Sequence, residues 1–205
     1  MERDPFARID DTDDAAFYEP ERKVVHLEPG AIAALRAFYA RVLPPGGAVL
    51  DLMASWRSHL PEELGPERLG PVTGLGMNAA EMAENPQLDD FVVHDLNRRP
   101  TLPFPDDRFD AVACAVSVQY LTRPLEVFGE VVRVVRPGGP IVVSFSNRCF
   151  PTKAVAIWRA GGDAAHRRLV REYLERSGVA AVTDEQPPTS DDPLFVVWGR
   201  GPEAG

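Results

Sequence analysis

Cysteine, lysine and long apolar runs are all scarce in this chain, and each scarcity excludes something. Only two cysteines occur in 205 residues, Cys114 and Cys149. Both lie in apolar surroundings, with neither a disulfide framework nor the spacing of a metal site. A reducing compartment follows as the expectation, so the location is read as cytoplasmic. No apolar run approaches the roughly eighteen residues of a membrane span, and the N-terminus lacks a basic-then-apolar signal. A basic stripe is missing too. The net charge of −9 argues against a nucleic-acid backbone as the main partner, and solubility accounts for the acidity. Lys23 and Lys153 are the only lysines among 22 basic residues, which reads as a compositional habit without functional weight. No Ser-His-Asp grouping, metal cluster or phosphate loop stands out. Without Gly-x-Gly-x-x-Gly after the first strand, a nicotinamide dehydrogenase is the poorer reading.

What is there suits one soluble domain, with 44% hydrophobic and 26% charged residues. Residues 1–16 carry six acids (Glu2, Asp4, Asp10, Asp11, Asp13, Asp14) and little to bury. They are expected to form a disordered acidic arm. Residues 17–199 form the expected single domain and 200–205 a loose tail. Pro29 to Val42 places Ile32, Leu35, Phe38, Tyr39 and Val42 at helical spacing, and Pro44-Pro45-Gly46 stops that helix. Ala48-Val49-Leu50 then reads as a buried strand ending in the acid Asp51. Pro71 to Gly76 is a second strand, with Asn78 as N-cap of a helix to about Ala83. Phe91 to Asp95 is a third, again ending in an acid.

The fourth strand, Phe109 to Val116, is apolar almost throughout, as a strand buried on both faces should be. Pro124 suits a first helical turn, and Leu125, Phe128, Val131, Val132 and Val135 mark the core face of the helix it opens. Ile141 to Phe145 is a fifth strand. Helical texture returns over Thr152 to Ala160 and Asp163 to Arg176. Val179 to Val182 and Leu194 to Trp198 read as two last strands with no helix between them, which predicts an antiparallel pair. Strands alternating with helices give an α/β fold: a Rossmann-like, seven-stranded, mainly parallel sheet with an antiparallel last strand and helices on both faces.

Four runs resemble class I S-adenosylmethionine-dependent methyltransferases. Val49-Leu50-Asp51-Leu52 resembles the family's first motif, and Asp95-Leu96-Asn97 the acid at the third strand's end that reads the adenine amino group. Leu102 to Val112 resembles the Pro-rich lead into the fourth strand, and Val134 to Gly139 the Pro-Gly-Gly turn before the fifth. A narrower, type 11-like group shares the Ser55-Trp56-Arg57-Ser58-His59-Leu60-Pro61 turn and Gly74-Leu75-Gly76-Met77-Asn78. Met53, Ser55 and Arg57 stand where the wider family has glycines, so the turn is expected to follow another path. Gly76 stands where the wider family has the acid that grips the ribose hydroxyls, and the Asn78 amide could meet a hydroxyl instead.

The resemblance implies transfer of a methyl group from S-adenosylmethionine to a small molecule, with S-adenosylhomocysteine as product. A catalytically silent relative that binds a ligand or protein partner is the alternative. The implied cofactor residues are Asp51, Met53, Ala54, Ser55, Trp56, Gly76, Met77, Asn78, Asp95, Leu96, Asn97 and Ala115. Trp56 either stacks on a ligand or plugs the cofactor hole. His59 is a candidate base, and Gln119, Tyr120 and Asn147 are candidates for orienting the acceptor. No metal, nucleic acid or membrane partner is expected, and the oligomeric state stays open.

Overall fold

The computed structural model describes residues 4–61 and 69–203. Seven strands form one sheet in the order β3-β2-β1-β4-β5-β7-β6. They are β1 (Val49–Ala54), β2 (Val72–Gly76), β3 (Asp90–Val93), β4 (Ala111–Ala115), β5 (Pro140–Phe145), β6 (Ala180–Glu185) and β7 (Phe195–Arg200). The first five run parallel, and β7 pairs antiparallel with both β5 and β6. This is the expected sheet. Strand order reverses between β1 and β4, so the carboxyl ends of those two strands open a crevice where ligands bind in folds of this kind.

The sheet is covered on both faces because its strands alternate between two cores. Val49, Val72, Ala111, Ala113, Val142 and Val196 pack under α2 (Pro29–Val42), against Ala31, Leu35, Phe38 and Tyr39. Leu50, Leu52, Val112, Cys114, Ile141 and Val143 pack on the other face, against α4 (Pro124–Val134), α5 (Ala156–Arg159) and α6 (Asp163–Arg176). Leu35, Phe38 and Tyr39 of α2 are almost fully buried. Each such side chain stabilises the fold by about 1.5–3 kcal/mol, which makes α2 part of the core. The face of α4 is rotated from the expectation. Val127 and Val134 are buried with Phe128 and Val131, while Leu125 and Val132 stay half-buried. The helix texture read over Thr152 to Ala160 shrinks to Ala156–Arg159.

Three expectations need correction. Residues 4–16 are no loose arm. The Asp10 amide donates to Thr152 O, Ala156 to Ala7 O and Ile157 to Pro5 O, and α1 (Asp14–Tyr18) follows. The physical reason is Lys153, whose side chain is 0% exposed. A buried ammonium needs counter-charge, and the acidic segment supplies it: Asp14 at 3.1 Å and Asp10 at 3.5 Å, with Thr12 O accepting at 2.8 Å. Residues 200–203 are no loose tail either, since Arg200 ends β7 and Gly201 exchanges backbone bonds with Gly138 and Gly139. Finally, Asp51 does not end its strand. β1 runs on to Ala54, with an irregularity between Leu52 and Ala54 where Met53 takes φ +62°.

Candidate functional site

The carboxyl ends of β1, β2, β3 and β4 meet at a cleft with about 1130 Å³ of empty space, part of it open to solvent. Its floor is Asp51, Met53 and Ala54 from β1, Leu75 and Gly76 from β2, and Ala115 and Val116 from β4. Asp51 is the electrostatic centre of that floor. The alternation of β1 turns it toward the α2 side, and burial pushes its carboxyl up to about 7, an effect the nearby Ser58 hydroxyl partly offsets. Its Oδ2 has no hydrogen-bond partner among the described residues. A buried acid left half-unsatisfied costs stability unless something else fills the gap. That makes Asp51 a binding-site candidate on physical grounds.

At the end of β1 and in the turn after it, one of the three residues that stand in place of glycines is left-handed. Left-handed conformations fall at Met53 (φ +62°) and His59 (φ +56°), while Ser55 and Arg57 avoid them. The bulge at Met53 brings the Ala54 carbonyl over β2, so a Cβ on Gly76 would lie 2.1 Å from Ala54 O. Only glycine fits there, which is why β2 cannot end in an acid. A carboxylate reaches the same region from α3 (Ala79–Ala83). Glu81 is buried, lines the cleft, and accepts from Ser55 Oγ at 2.6 Å and from the Arg22 amide.

Trp56 does not plug the cleft. It is half-buried on the wall, donates from Nε1 to Val24 O at 3.0 Å, and carries the Arg57 guanidinium over its ring at 3.7 Å. Asn78 caps α3 by accepting from the Glu81 amide at 3.0 Å, and its Nδ2 donates to Tyr18 O and Glu19 O. Its amide is therefore committed to the protein. Asp95 closes the loop after β3 by accepting from the Asn97 and Arg98 amides through Oδ1, leaving Oδ2 without a bond among the described residues. Asn97 is also committed: Nδ2 donates to Asp14 and to Tyr120 O, and Oδ1 accepts from Thr122.

All twelve residues named above as cofactor contacts line this one cleft, and so do His59 and Tyr120. Gln119 and Asn147 do not. Gln119 is buried beneath the floor, with Nε2 donating to Val116 O at 2.9 Å. Asn147 is exposed beyond β5, where Arg148 ties its loop to Glu28 and Asp192. The largest omission of the sequence reading is the roof. Asp14, Tyr18, Arg22, Val24 and His26 cross the cleft as a strap, held by Asn78, Glu81 and Trp56 along one side. At its start Asp14 is clamped by Arg8, Lys153 and Asn97. Burial pushes the Asp14 carboxyl up, but the hydrogen bonds from Asn97, Arg8 and Lys153 outweigh it and hold it below the ordinary value. Phe17 and Tyr18 were the visible signal, two aromatics in an otherwise polar run. His94, Ser117, Leu121 and Phe150 complete the wall.

A family model described as a methyltransferase domain matches residues 67–143. That segment is thus similar to a methyltransferase domain, and the chain as a whole has the fold of S-adenosylmethionine-dependent methyltransferases. The cleft described above occupies the crevice at which the strand order of this sheet reverses. Among sequence relatives, a demethylmenaquinone methyltransferase of Lysinibacillus sphaericus is 34% identical over 141 residues, 64% of this chain and 53% of that protein. The chain spans about half the length of the demethylmenaquinone methyltransferases it matches. Among solved structures, an S-adenosylmethionine-dependent methyltransferase from Aquifex aeolicus superposes with a TM-score of 0.62 at 17% identity, covering 85% of this chain and 94% of that one. The [4+2]-cyclase SpnF superposes at 0.60 with 15% identity, covering 91% and 87%. Among the described residues no helix is long and apolar enough to cross a membrane, and no group of three metal-ligating side chains is assembled.

Proposed function

We propose that this chain transfers a methyl group from S-adenosylmethionine to a small-molecule acceptor, in the cleft between β1, β2, β3 and β4. The observation that carries the reading is the orphaned carboxyl oxygen of Asp51, buried on the cleft floor with no protein partner among the described residues. A cationic amino group is the partner such an oxygen lacks, and the cofactor carries one on its amino-acid end.

The rest of the lining fits the same molecule. Gly76 and Met77 line the cleft at the end of β2. Asp95, Leu96 and Asn97 wall the end where an adenine would lie, and Asp95 keeps one oxygen free. Glu81 supplies the carboxylate that β2 cannot, close to Ser55 and the Gly76-Met77 backbone. The bound cofactor supplies an electrophilic methyl carbon. This chain's residues hold and orient the two reactants and exclude water, with the strap as roof. Positioning alone can supply much of the rate in such a transfer. The demethylmenaquinone methyltransferase names of the relatives suggest an apolar acceptor.

A second reading is a member of the fold that binds the cofactor without transferring its methyl group. The likeness to a cyclase favours keeping it in view. Methyl-labelled S-adenosylmethionine, incubated with the protein and a small-molecule extract, separates the two. Label passing into an extractable product supports transfer. Cofactor binding without label transfer to any fraction supports the silent reading.

A further inference from the structure

The chain has four histidines, and they divide by surroundings. His94 donates from Nε2 to Arg99 O at 2.7 Å, and His166 from Nε2 to Trp158 O at 2.8 Å. His26 and His59 both line the cleft and take no hydrogen bond among the described residues. A ring without a protein partner, facing a ligand cavity, is available for proton transfer.

The two cleft histidines are not equivalent. His59 sits on the turn after β1, where burial and then the charges of Arg36, His26 and Arg57 push its imidazole down to about 4. Cationic neighbours oppose the gain of a proton there. His26 sits on the strap, half-buried. Burial lowers its imidazole as well, but Glu81 on α3 opposes that shift and favours the protonated form. The ring is also held in place. It meets Phe150 edge-on, with centroids 4.9 Å apart and planes at 90°. The Phe150 amide in turn donates to the Tyr120 hydroxyl at 2.8 Å. Tyr120 therefore positions Phe150, and Phe150 positions His26.

The mouth around His26 is apolar, and its charges are already engaged. Val24 and Val25 are 47% and 41% exposed, and the Trp56 indole N–H is taken by Val24 O. Arg22 donates to the Phe17 and Pro20 carbonyls, and Arg57 lies over Trp56 while donating to its carbonyl. Glu81 is held by Ser55 and the Arg22 amide.

We infer that His26 is the general base of this cleft, and that its acceptor is an uncharged, largely apolar molecule carrying a phenolic or enolic hydroxyl. The inference rests on the methyl-transfer reading above. The acceptor oxygen forms the new O–C bond to the methyl carbon. The C–S bond breaks with its electron pair passing to sulfur, and the hydroxyl proton passes to the His26 ring nitrogen. The sulfonium charge is thereby replaced by an imidazolium charge beside Glu81. The proton then leaves to solvent through the mouth of the cleft.

The test uses 4-nitrophenol, whose phenolate absorbs in the visible where its phenol does not. Wild type and His26→Gln, both as full chains, are first titrated with S-adenosylhomocysteine by calorimetry. The saturated complexes are then titrated with 4-nitrophenol across pH. The expected result is a variant that keeps its S-adenosylhomocysteine affinity within about threefold and shows loss of proton transfer at its base. The half-ionisation of bound nitrophenol rises by at least about one pH unit relative to wild type. His26→Asn repeats the measurement if the Gln variant fails to fold. Equal ionisation in both proteins, or no nitrophenol binding to the wild-type complex, overturns the inference while leaving methyl transfer standing. No S-adenosylhomocysteine binding by wild type refutes the underlying reading, and this inference falls with it.

Discussion

Asp51→Asn should stabilise the ligand-free protein at neutral pH while weakening cofactor binding. An unfolded Asp ionises near 3.8, and burial moves the folded group to about 7. Between those values the folded state keeps a proton that the unfolded state has released, so stability falls as pH rises. The loss begins near pH 4 and levels off above about pH 7. Roughly three pH units at about 1.36 kcal/mol each give a penalty on the order of 4 kcal/mol, fully developed above neutrality. Asparagine has almost the same shape and no charge to bury, so the variant escapes that penalty. Urea unfolding of both proteins from pH 4 to pH 8.5 measures the difference. The two should agree near pH 4 and diverge steadily, with the variant more stable at pH 8. Parallel curves, or a variant that is less stable at pH 8, would refute the claim that Asp51 is a buried acid with one oxygen left without a partner among the described residues. A cationic ligand should also reverse the effect in wild type. S-adenosylhomocysteine binding should release a proton near pH 6.5, seen as a dependence of binding heat on buffer ionisation enthalpy.

The strap and the turn make further expectations. Asp14→Ala removes the nearest carboxylate of buried Lys153, and chemical denaturation should show a loss of about 3–5 kcal/mol. The depressed pKa of Asp14 gives the pH dependence: its contribution is complete above about pH 3.8 and is lost as pH falls through the lower folded value, so acid unfolding should begin earlier in the variant. Deleting residues 1–16 should be at least as costly, and retained stability would show that Lys153 finds other partners. Trp56→Ala should cost only about 1–2 kcal/mol, because the ring is half-buried, below the 3–5 of a core tryptophan. It should nonetheless weaken S-adenosylhomocysteine binding at least tenfold, because the Val24 tether is lost. Gly76→Ala should cost about 3 kcal/mol in thermal or urea unfolding, since its Cβ meets a backbone carbonyl that cannot swing aside.

Much of this was legible in the sequence because it rests on local pattern. Asn78 caps α3 as its residue type predicts. Pro29 and Pro124 open α2 and α4, and α2 and α6 have the bounds their periodicity marks. The strands were legible for the same reason, though not their ends: β1 runs past Asp51 to Ala54, and β3 stops at Val93, before Asp95. What escaped was long-range pairing. The acids of residues 4–16 look like a solvated arm until Lys153, some 140 residues on, is seen buried among them. Nothing local in the sequence marks Lys153 as internal. The Asn97 amide reads as a ligand contact, but Asp14 and Thr122 use up its capacity from both sides. Gly76 was visible as a departure from the family pattern, and its cause lay in the path of β1, whose Ala54 carbonyl takes the space of a side chain. His26 gave no local signal either, because its distinction lies in what it does not bond.

Calorimetric titration of S-adenosylhomocysteine into the full chain tests the central claim most directly. The account predicts saturable binding at one site with a dissociation constant well below millimolar, weakened at least tenfold by Asp51→Asn. At about 100 times that constant, the ligand should stabilise the protein by roughly 2.7 kcal/mol in a thermal melt. Absence of both heat and melting shift at millimolar ligand would contradict it, because the orphaned acid on the cleft floor would then serve something other than this cofactor.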